Sequence, residues 1–305
     1  MEPARLYCLP MVEGVFLDDN LKVLRRLPSG SIDLVYIDPP FGTRQVRRLD
    51  AIRTTALVTG PRAAGPRAAS PRAAGPLPAQ AGEKARNGFA GRRYAYEVVS
   101  SHGYSDEMAL DDYLGFLYER LAEIHRALSP AGSLYLHLDF HAVHYGRLLL
   151  DELFGPERFL NEVIWAYDYG GRARDRWPRK HDNILWYSKS DKWTFNTGDI
   201  DRIPYMAPSL VGPEKAALGK LPTDTWWLTI VPTSSAERTG YPTQKPVKLL
   251  ERIIRASSHP GDLVADFFCG SGTTGVAAQR LGRRYLLVDD NPDAIRITNE
   301  RLKSP

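Results

Sequence analysis

Hydrophobic and polar residues follow two different periods along the chain, and each period predicts a different element. A short apolar run at 32–38 is typical of a strand that is buried on both faces. Between 111 and 128, leucine or isoleucine recurs every three or four residues, which is the spacing of one buried helix face. The same reasoning predicts strands over 133–139, 159–166, 183–188, 263–268 and 284–289, and helices over 141–153, 246–257, 273–281 and 292–302.

This alternation predicts an α/β fold with a mostly parallel sheet and helices on both faces. Residues 190–240 depart from it, because proline, glycine and aromatic residues are scattered there without a period. This segment is therefore expected to form a small separate lobe or long loops. A chain of 305 residues suits either one large α/β domain with insertions or about two domains.

Residues 45–88 differ from the rest in composition. Three near-identical pentapeptides, PRAAG, PRAAS and PRAAG, occupy 61–75, and a proline every fifth residue interrupts both helices and strand ladders. We therefore predict a flexible insertion over 45–88. Between 44 and 93 the chain has eleven basic and two acidic residues, whereas the remainder has 29 basic and 34 acidic. The segment is either an inert linker or an arm that attracts phosphates.

Composition excludes several classes of protein. Apolar residues make up 43% and charged residues 25%, which is typical of a globular chain. No run approaches the ~18 uncharged apolar residues of a membrane helix, and the N-terminus lacks the apolar core of a secretory signal. Two cysteines cannot form a disulfide framework, and His137, His141 and His144 do not have zinc-site spacing. We expect a cytoplasmic protein with no membrane partner and no metal.

The net charge of +4 and the pI of about 9.0 add little to this picture. A basic protein favours nucleic acid as a partner. Here, however, the basic excess comes entirely from the segment around the pentapeptides, so the overall charge is weak evidence for DNA binding.

Four residues directly after the first predicted strand form a candidate catalytic motif, Asp38-Pro39-Pro40-Phe41. Ligands of open α/β sheets bind at the carboxyl ends of strands. The two prolines fix the backbone and remove two N–H donors, which leaves carbonyl groups that only accept hydrogen bonds. With the Asp38 carboxylate and the flat ring of Phe41, these acceptors suit a planar ring that bears an exocyclic amine. The simpler alternative is a tight turn after a strand.

A glycine-rich segment, DFFCGSGTTG at 266–275, joins a predicted strand to a predicted helix. Its small residues let a ligand approach the backbone, and a helix N-terminus favours negative charge. Gly270-x-Gly272-x-x-Gly275 also matches the dinucleotide fingerprint, which is weak evidence by itself. The next predicted strand ends at Asp289, and a carboxylate there is able to accept both hydroxyls of a ribose. The segment favours an adenosine-bearing cofactor, with an ordinary turn as the alternative.

Two further segments carry weaker signals. In YPTQKP at 241–246, Thr243 is a candidate cap for the following helix, and Lys245 is expected to meet a carboxylate. The basic loop GGRARDRWPRKH at 170–181 has a net charge of +4, and it suits a nucleic-acid backbone and an unstacked base. A solvated surface loop is the alternative. The candidate DNA-binding residues are Arg172, Arg174, Arg176, Trp177, Arg179 and Lys180.

Together these motifs resemble those of the amino-group DNA methyltransferases, which transfer a methyl group from S-adenosylmethionine to adenine N6 or cytosine N4. The family's (D/N/S)-P-P-(Y/F/W) motif is matched by 38–41, its D-x-F-x-G-S-G-T-T motif by 266–274, and its T-Q-K-P element by 243–246. The catalytic motif precedes the cofactor motif, which is the permuted order of the beta group. The chain departs from one common form of the cofactor motif at Phe267, where that form has proline.

The resemblance implies a Rossmann-like methyltransferase sheet with a small inserted recognition lobe. Residues 1–44 and 89–189 would form the catalytic half, 190–240 the target-recognition lobe, and 241–305 the cofactor-binding half. The implied catalytic residues are Asp38, Pro39, Pro40 and Phe41. The implied residues for S-adenosylmethionine are Asp266, Phe268, Gly270, Ser271, Gly272, Thr273, Asp289, Thr243 and Lys245.

The resemblance also implies double-stranded DNA as the partner, with the target base flipped out of the duplex. Family members with aspartate in the catalytic motif mostly methylate adenine, so adenine N6 is favoured over cytosine N4. An NAD-dependent oxidoreductase is a weaker alternative, because it leaves 38–41 unexplained. A DNA-binding protein without catalysis and an RNA or small-molecule methyltransferase are also alternatives. A cognate restriction endonuclease and a homodimer are left open.

Overall fold

The computed structural model describes residues 13–40, 46–56, 84–87, 93–105, 108–168 and 173–303. The chain divides into two compact units. One unit comprises Met1–Gln45 together with Asp106–Pro305, and the other comprises Val46–Ser105.

The first unit contains eight strands and seven α-helices within the described residues. The strands are β1 (Gly14–Leu17), β2 (Ile32–Ile37), β6 (Leu128–Leu138), β7 (Phe159–Ala166), β8 (His181–Ser188), β9 (Thr225–Trp227), β10 (Leu263–Asp266) and β11 (Arg284–Asp289). The helices are α1 (Asn20–Arg26), α2 (Leu110–Ala127), α3 (Val143–Phe154), α4 (Pro213–Leu218), α5 (Val247–Ser257), α6 (Thr273–Arg280) and α7 (Pro292–Leu302).

The eight strands form one sheet in the order β1-β11-β10-β2-β6-β8-β7-β9. Five of the seven pairings are parallel, and β8 pairs antiparallel with both of its neighbours. β8 is reversed because it follows β7 through a single loop, whereas parallel neighbours need a crossover. The predicted mostly parallel α/β sheet is confirmed.

Helices cover both faces of this sheet, as predicted. On one face, α1, α2 and α3 bury Leu24, Leu121 and Leu150 against strand residues such as Leu136. On the other face, α5 and α6 pack against a second apolar cluster. Two buried faces explain why the central strands are continuously apolar rather than alternating.

Each of the eleven elements predicted from periodicity is present, although several ends differ by a few residues. β1 and α1 are not among them, because their apolar segments of four and seven residues are too short for a periodic signal. A helix cap marks the start of α1, where the Asp19 carboxylate accepts a hydrogen bond from the Lys22 backbone N–H.

The second unit is a three-stranded antiparallel sheet in the order β3-β5-β4. Its strands are β3 (Val46–Ala56), β4 (Lys84–Asn87) and β5 (Arg93–Ser105). The structure therefore differs from the flexible insertion expected over 45–88, since both ends of that range pair with β5, a segment rich in tyrosine and valine. The pentapeptides at 61–75 lie outside the described residues.

Residues 190–240 contain the short helix α4 and the strand β9. β9 pairs with β7 at the edge of the main sheet, so part of this segment belongs to the large unit's sheet rather than to loops alone. Trp226 packs against the second apolar cluster, whereas Trp227 is exposed. The segment's role in target recognition stays a prediction.

Candidate active site

Three carboxylates lie at the carboxyl edge of three adjacent strands. Asp266 and Asp289 end β10 and β11, and Asp38 directly follows β2. The sheet order β11-β10-β2 and the parallel pairings bring these ends together, at the edge where α/β sheets bind ligands. In this arrangement the charges of Asp38 and Asp289 both raise the pKa of Asp266.

Asp38 is paired with Lys245, as expected for a lysine placed to meet a carboxylate. The Lys245 ammonium group donates to Oδ2 of Asp38, and the Lys245 residue is only 9% exposed. The other carboxylate oxygen, Oδ1, is buried and has no hydrogen-bond partner among the described residues. A buried unsatisfied acceptor is costly, so this oxygen is suited to accept an N–H from a ligand.

The prolines of the catalytic motif continue from Asp38 along the same strand end. Pro39 is buried and Pro40 half-buried, and neither has a backbone N–H to donate. The predicted fourth member of the motif, Phe41, lies outside the described residues. Within 38–40, the site therefore presents acceptors and fixed backbone, which is the arrangement expected for holding an amine.

The glycine-rich segment forms a tight turn between β10 and α6. Gly270 and Gly272 both have positive φ, at 50° and 74°, a region that favours glycine. The Gly270 backbone N–H donates to Oδ2 of Asp289 at 2.8 Å, and Thr298 donates to the Gly270 carbonyl at 3.0 Å. A Cβ on Gly272 would lie 2.6 Å from Thr298, so the turn requires glycine there.

Three further predicted cofactor residues lie at or next to the same turn. Ser271 and Thr273 are buried, and Phe268 packs against the first apolar cluster. Phe267, at the position where the motif departs from proline, is fully buried in that cluster. The departure is tolerated because the ring fills core space rather than facing the turn.

Asp266 lies in a setting that favours its neutral form. Burial raises the pKa of Asp266 to about 7, and the charges of Asp38 and Asp289 add to the rise. Hydrogen bonds from the Thr274 hydroxyl and the Phe268 backbone N–H oppose it. Burial also raises the pKa of Asp289, against backbone hydrogen bonds from Asn291 and Gly270.

The segment before α5 is held by side chains that sequence reasoning did not identify. Thr243 does not cap α5: its φ of 59° is left-handed, and Oε1 of Glu237 accepts from the Val247 backbone N–H at 2.7 Å instead. The Thr273 hydroxyl donates to the Lys245 carbonyl at 3.0 Å, which ties this segment to the glycine-rich turn. The cap was missed because Glu237 is ten residues from Val247 in sequence.

Two buried groups outside the motifs support the glycine-rich turn. The side-chain amide of Asn20 donates to the Phe267 backbone carbonyl at 2.8 Å, and Arg120 in turn donates to Oδ1 of the same amide. Arg301 of α7 donates to the Ser271 carbonyl at 2.7 Å. The position of Asn20 directly after an apolar strand and a cap was an available signal, whereas no sequence pattern marks Arg120 or Arg301.

The basic loop lies between β7 and β8 at the same edge of the sheet. The Arg179 guanidinium lies 3.6 Å from the centre of the Phe140 ring, a cation–π contact that anchors the end of the loop. Arg176 pairs with Asp175, and Trp177 is 92% exposed. Arg174 is exposed and Lys180 half-buried, and Arg172 lies outside the described residues.

The histidines near β6 belong to separate hydrogen-bond networks. His137 contacts Tyr36 and Asp182, whereas His141 contacts Asp139 at 2.8 Å. Within the described residues there is no group of three or more histidine, cysteine, aspartate or glutamate side chains that could hold a metal ion. No described helix is long and apolar enough to cross a membrane.

Curated relatives match the main part of the chain. The type II methyltransferase M.HpaI of Haemophilus parainfluenzae is 34% identical over 212 residues, covering 68% of this chain and 66% of the relative. The DNA adenine methyltransferase YhdJ of Escherichia coli is 32% identical over 206 residues, covering 63% and 67%. The matches thus span about two thirds of these relatives' own length.

Solved structures show the same fold. The PvuII DNA methyltransferase, described as cytosine-N4-specific, superposes with a TM-score of 0.60 at 16% identity, covering 95% of this chain and 86% of that one. The M1.HpyAVI–SAM complex superposes with a TM-score of 0.56 at 18% identity, covering 94% and 98%.

A family model described as DNA methylase, of the N6/N4 type, matches residues 32–300. That range contains all three motifs, the carboxylates at the sheet edge and the Lys245–Asp38 pair. On this match the chain belongs to the N6/N4 DNA methylase family.

Proposed function

We propose that the chain transfers a methyl group from S-adenosylmethionine to the exocyclic amine of a base in double-stranded DNA. The observation that carries the proposal is the buried, unpartnered Oδ1 of Asp38, held at the sheet edge beside the glycine-rich turn. An acceptor in that setting is suited to an N–H donor. Family membership supplies the reaction class.

The residues around the turn fit the cofactor. At Gly270 and Gly272 an added Cβ would meet Tyr241 and Thr298, so the missing side chains let these two residues pack directly against the turn and fix its backbone. Asp289 would hold the ribose hydroxyls, and Asp266, Phe268, Ser271 and Thr273 would shape the pocket, with Thr243 and Lys245 near the methionine end. When bound, S-adenosylmethionine supplies an electrophilic methyl group.

Asp38 addresses the chemical difficulty of the reaction. An aromatic amine is a poor nucleophile because its lone pair is delocalised into the ring. Asp38 and the Pro39 carbonyl would accept hydrogen bonds from the two amine N–H groups and so hold the nitrogen with its lone pair towards the methyl group. Phe41 would stack on the base. Positioning and electrostatics would then supply most of the rate in a direct displacement.

Adenine N6 is the proposed target atom. The aspartate of the catalytic motif favours adenine by resemblance, and the relative YhdJ is named a DNA adenine methyltransferase. Cytosine N4 is the second candidate, since the PvuII enzyme of the same fold is named cytosine-N4-specific. Both amines would present the same two N–H groups to Asp38 and the Pro39 carbonyl.

The basic loop is the proposed DNA contact. Its exposed Trp177 would stack on a base, and the phosphate backbone would be attracted by Arg172, Arg174, Arg176, Arg179 and Lys180. The relative M.HpaI is named a type II methyltransferase, which favours a cognate restriction endonuclease as a partner of this chain. Formation of a homodimer stays a prediction.

The direct test is transfer of a radiolabelled methyl group to unmodified DNA. We expect transfer by the unchanged protein and its loss in Asp38→Ala, with binding of S-adenosylmethionine retained. Because Asp38→Ala leaves Lys245 buried without its counter-charge, which costs about 3–5 kcal/mol of stability, the double variant Asp38→Ala/Lys245→Met serves as control. A stable double variant that still methylates DNA would contradict the role of Asp38.

The oxidoreductase alternative is tested by binding alone. Calorimetric titration of the protein with S-adenosylmethionine and, separately, with NAD should show binding of S-adenosylmethionine and no binding of NAD. Preference for NAD would overturn the proposed cofactor.

A further inference from the structure

A chain of hydrogen bonds crosses four adjacent strands beneath the active site. The Tyr36 hydroxyl of β2 lies 2.8 Å from Nδ1 of His137 on β6. Nε2 of His137 lies 3.4 Å from Oδ2 of Asp182 on β8, and the Tyr167 hydroxyl, directly after β7, donates to Oδ1 of Asp182 at 3.1 Å. Tyr36 and His137 are buried.

The direction of these hydrogen bonds follows from the charge of Asp182. Burial raises the pKa of Asp182, but hydrogen bonds from His137 and Tyr167, together with the charge of Lys245, outweigh it and lower the pKa below its ordinary value. An ionised carboxylate only accepts, so Nε2 of His137 carries the proton and Tyr167 donates. With that proton on Nε2, Nδ1 is assigned as the acceptor of the hydrogen bond from the Tyr36 hydroxyl.

The two ends of the chain are at functionally distinct places. Tyr36 precedes Asp38 by two residues, so the two side chains share one face of the sheet, and the charge of Asp38 raises the pKa of Tyr36 further after burial. Tyr167 and Asp182 flank the basic loop, one on each side. These hydrogen bonds therefore connect the strand that precedes Asp38 to both ends of the basic loop, which is the proposed DNA contact.

Packing alone does not account for these polar groups. The ring of His137 lies among apolar and aromatic residues: Ile184 is its partner on β8, and the Trp165 ring meets it edge-on with centroids 5.5 Å apart. Burying the polar groups of Tyr36 and His137 in such surroundings is costly unless each is satisfied. A hydrophobic side chain of similar volume at 137 would fill the same space without that requirement.

We propose that His137 is a positioning residue for methyl transfer: through Tyr36 it fixes the end of β2 that carries Asp38, and through Asp182 it fixes the base of the DNA-contacting loop. This inference rests on the proposed function. It assigns His137, Tyr36 and Asp182 a role in geometry rather than in contact with the reacting atoms.

Kinetics of Tyr36→Phe test the proposal, because this variant removes one hydroxyl and keeps the ring. A misplacement of about 1 Å at a reacting centre costs about 100-fold in rate, and loss of one hydroxyl should move Asp38 by less than that. We therefore expect kcat to fall about tenfold, with Kd for S-adenosylmethionine and for DNA within about twofold. Tyr135→Phe is the matched control. Tyr135 is also a buried tyrosine of the central sheet, and its hydroxyl is hydrogen-bonded to Ser257 at 2.7 Å, but it does not belong to the chain of hydrogen bonds through His137.

The two tyrosine variants separate positioning from stability. Both should lose a similar amount of stability in urea denaturation, whereas only Tyr36→Phe should lose kcat. Asp182→Asn should resemble Tyr36→Phe in its kinetics. Equal kcat in Tyr36→Phe and Tyr135→Phe would overturn the proposal.

A measurement independent of activity tests the hydrogen-bond chain itself. Nitrogen NMR of the histidine rings should show the His137 proton on Nε2 and none on Nδ1, and Tyr36→Phe should move the Nδ1 resonance. A proton on Nδ1 in the unchanged protein would overturn the proposed direction and with it the role of His137. Absence of methyl transfer in a protein that shows the Nε2–H form would contradict the proposed function instead.

Discussion

At the scale of single residues, the three carboxylates of the sheet edge differ in what neutralises them. Asp38 has the Lys245 ammonium group, and Asp289 accepts two backbone N–H groups. Asp266 accepts one hydroxyl and one backbone N–H while fully buried. A buried carboxyl without a cation favours the neutral form, which is why the pKa of Asp266 rises to about 7.

This difference predicts a pH dependence of stability. The folded-state pKa of Asp266 is raised above its ordinary value of 3.8, so the folded state binds more protons than the unfolded state between those values. The contribution of Asp266 to stability is therefore present below about pH 4 and falls as the pH rises towards 7.

Asp266→Asn removes the titrating carboxyl group. The amide side chain is still able to form hydrogen bonds with the Thr274 hydroxyl and the Phe268 backbone N–H. We expect the urea midpoint of the unchanged protein to fall between pH 5 and pH 8 by more than that of the variant. The variant should be the more stable of the two at pH 8. Parallel pH profiles of the two proteins would contradict the assignment of the raised pKa to Asp266.

At the scale of elements, the glycine-rich turn is fixed by backbone conformation and close packing together. Gly272 has a φ of 74° and faces Thr298 of α7, whereas Gly282 has a φ of 71° with no atom within 4 Å of an added Cβ. The two glycines lie at opposite ends of α6. Both glycines have a left-handed backbone. Only Gly272 has a side chain, that of Thr298, in the space that a Cβ would occupy, and only Gly272 lies next to the predicted cofactor residues.

Substitution of these glycines separates the two effects. Both Gly272→Ala and Gly282→Ala should lose about 1 kcal/mol of stability from the left-handed backbone. Only Gly272→Ala should also weaken binding of S-adenosylmethionine, by roughly tenfold or more, because displacing Thr298 shifts the turn. Calorimetric titration measures this, and equal affinity in the two variants would show that the turn does not hold the cofactor.

The basic loop is the second element that carries a prediction. Trp177 is 92% exposed, so Trp177→Ala should leave the melting temperature unchanged. If the ring stacks on a base, DNA affinity should fall by about 1–3 kcal/mol. Trp193→Ala is the control, since Trp193 is partly exposed but follows the other end of β8, and equal DNA affinities for the two variants would remove Trp177 from the contact surface.

At the scale of the whole molecule, sequence periodicity predicted the sheet and its covering helices because both faces are buried. It did not predict contacts between distant segments. Lys245 and Asp38 are 207 residues apart in sequence. The sequence predicted that Lys245 meets a carboxylate, but only the sheet order identifies that carboxylate as Asp38. The link between Tyr36 and His137 likewise depends on the parallel pairing of β2 with β6.

Composition predicted the structure of residues 45–88 poorly, because strands form at both ends of that range by pairing with β5. The arginine-rich residues of β3 have no regular apolar period, yet they pair along most of β5. In the large unit, polar groups such as Arg301 and Glu237 support the site from positions that no motif marks. Such supports arise from tertiary packing, which a single sequence does not display.

The central claim is that a DNA amine receives the methyl group, and the mass of the product nucleosides tests it most directly. DNA incubated with the protein and S-adenosylmethionine is digested to nucleosides, separated and compared with standards. The account predicts N6-methyladenine, made by the unchanged protein and not by Asp38→Ala. N4-methylcytosine would keep the mechanism and change the base, whereas a methyl group on a ring carbon, or unmodified DNA despite bound cofactor, would contradict the account.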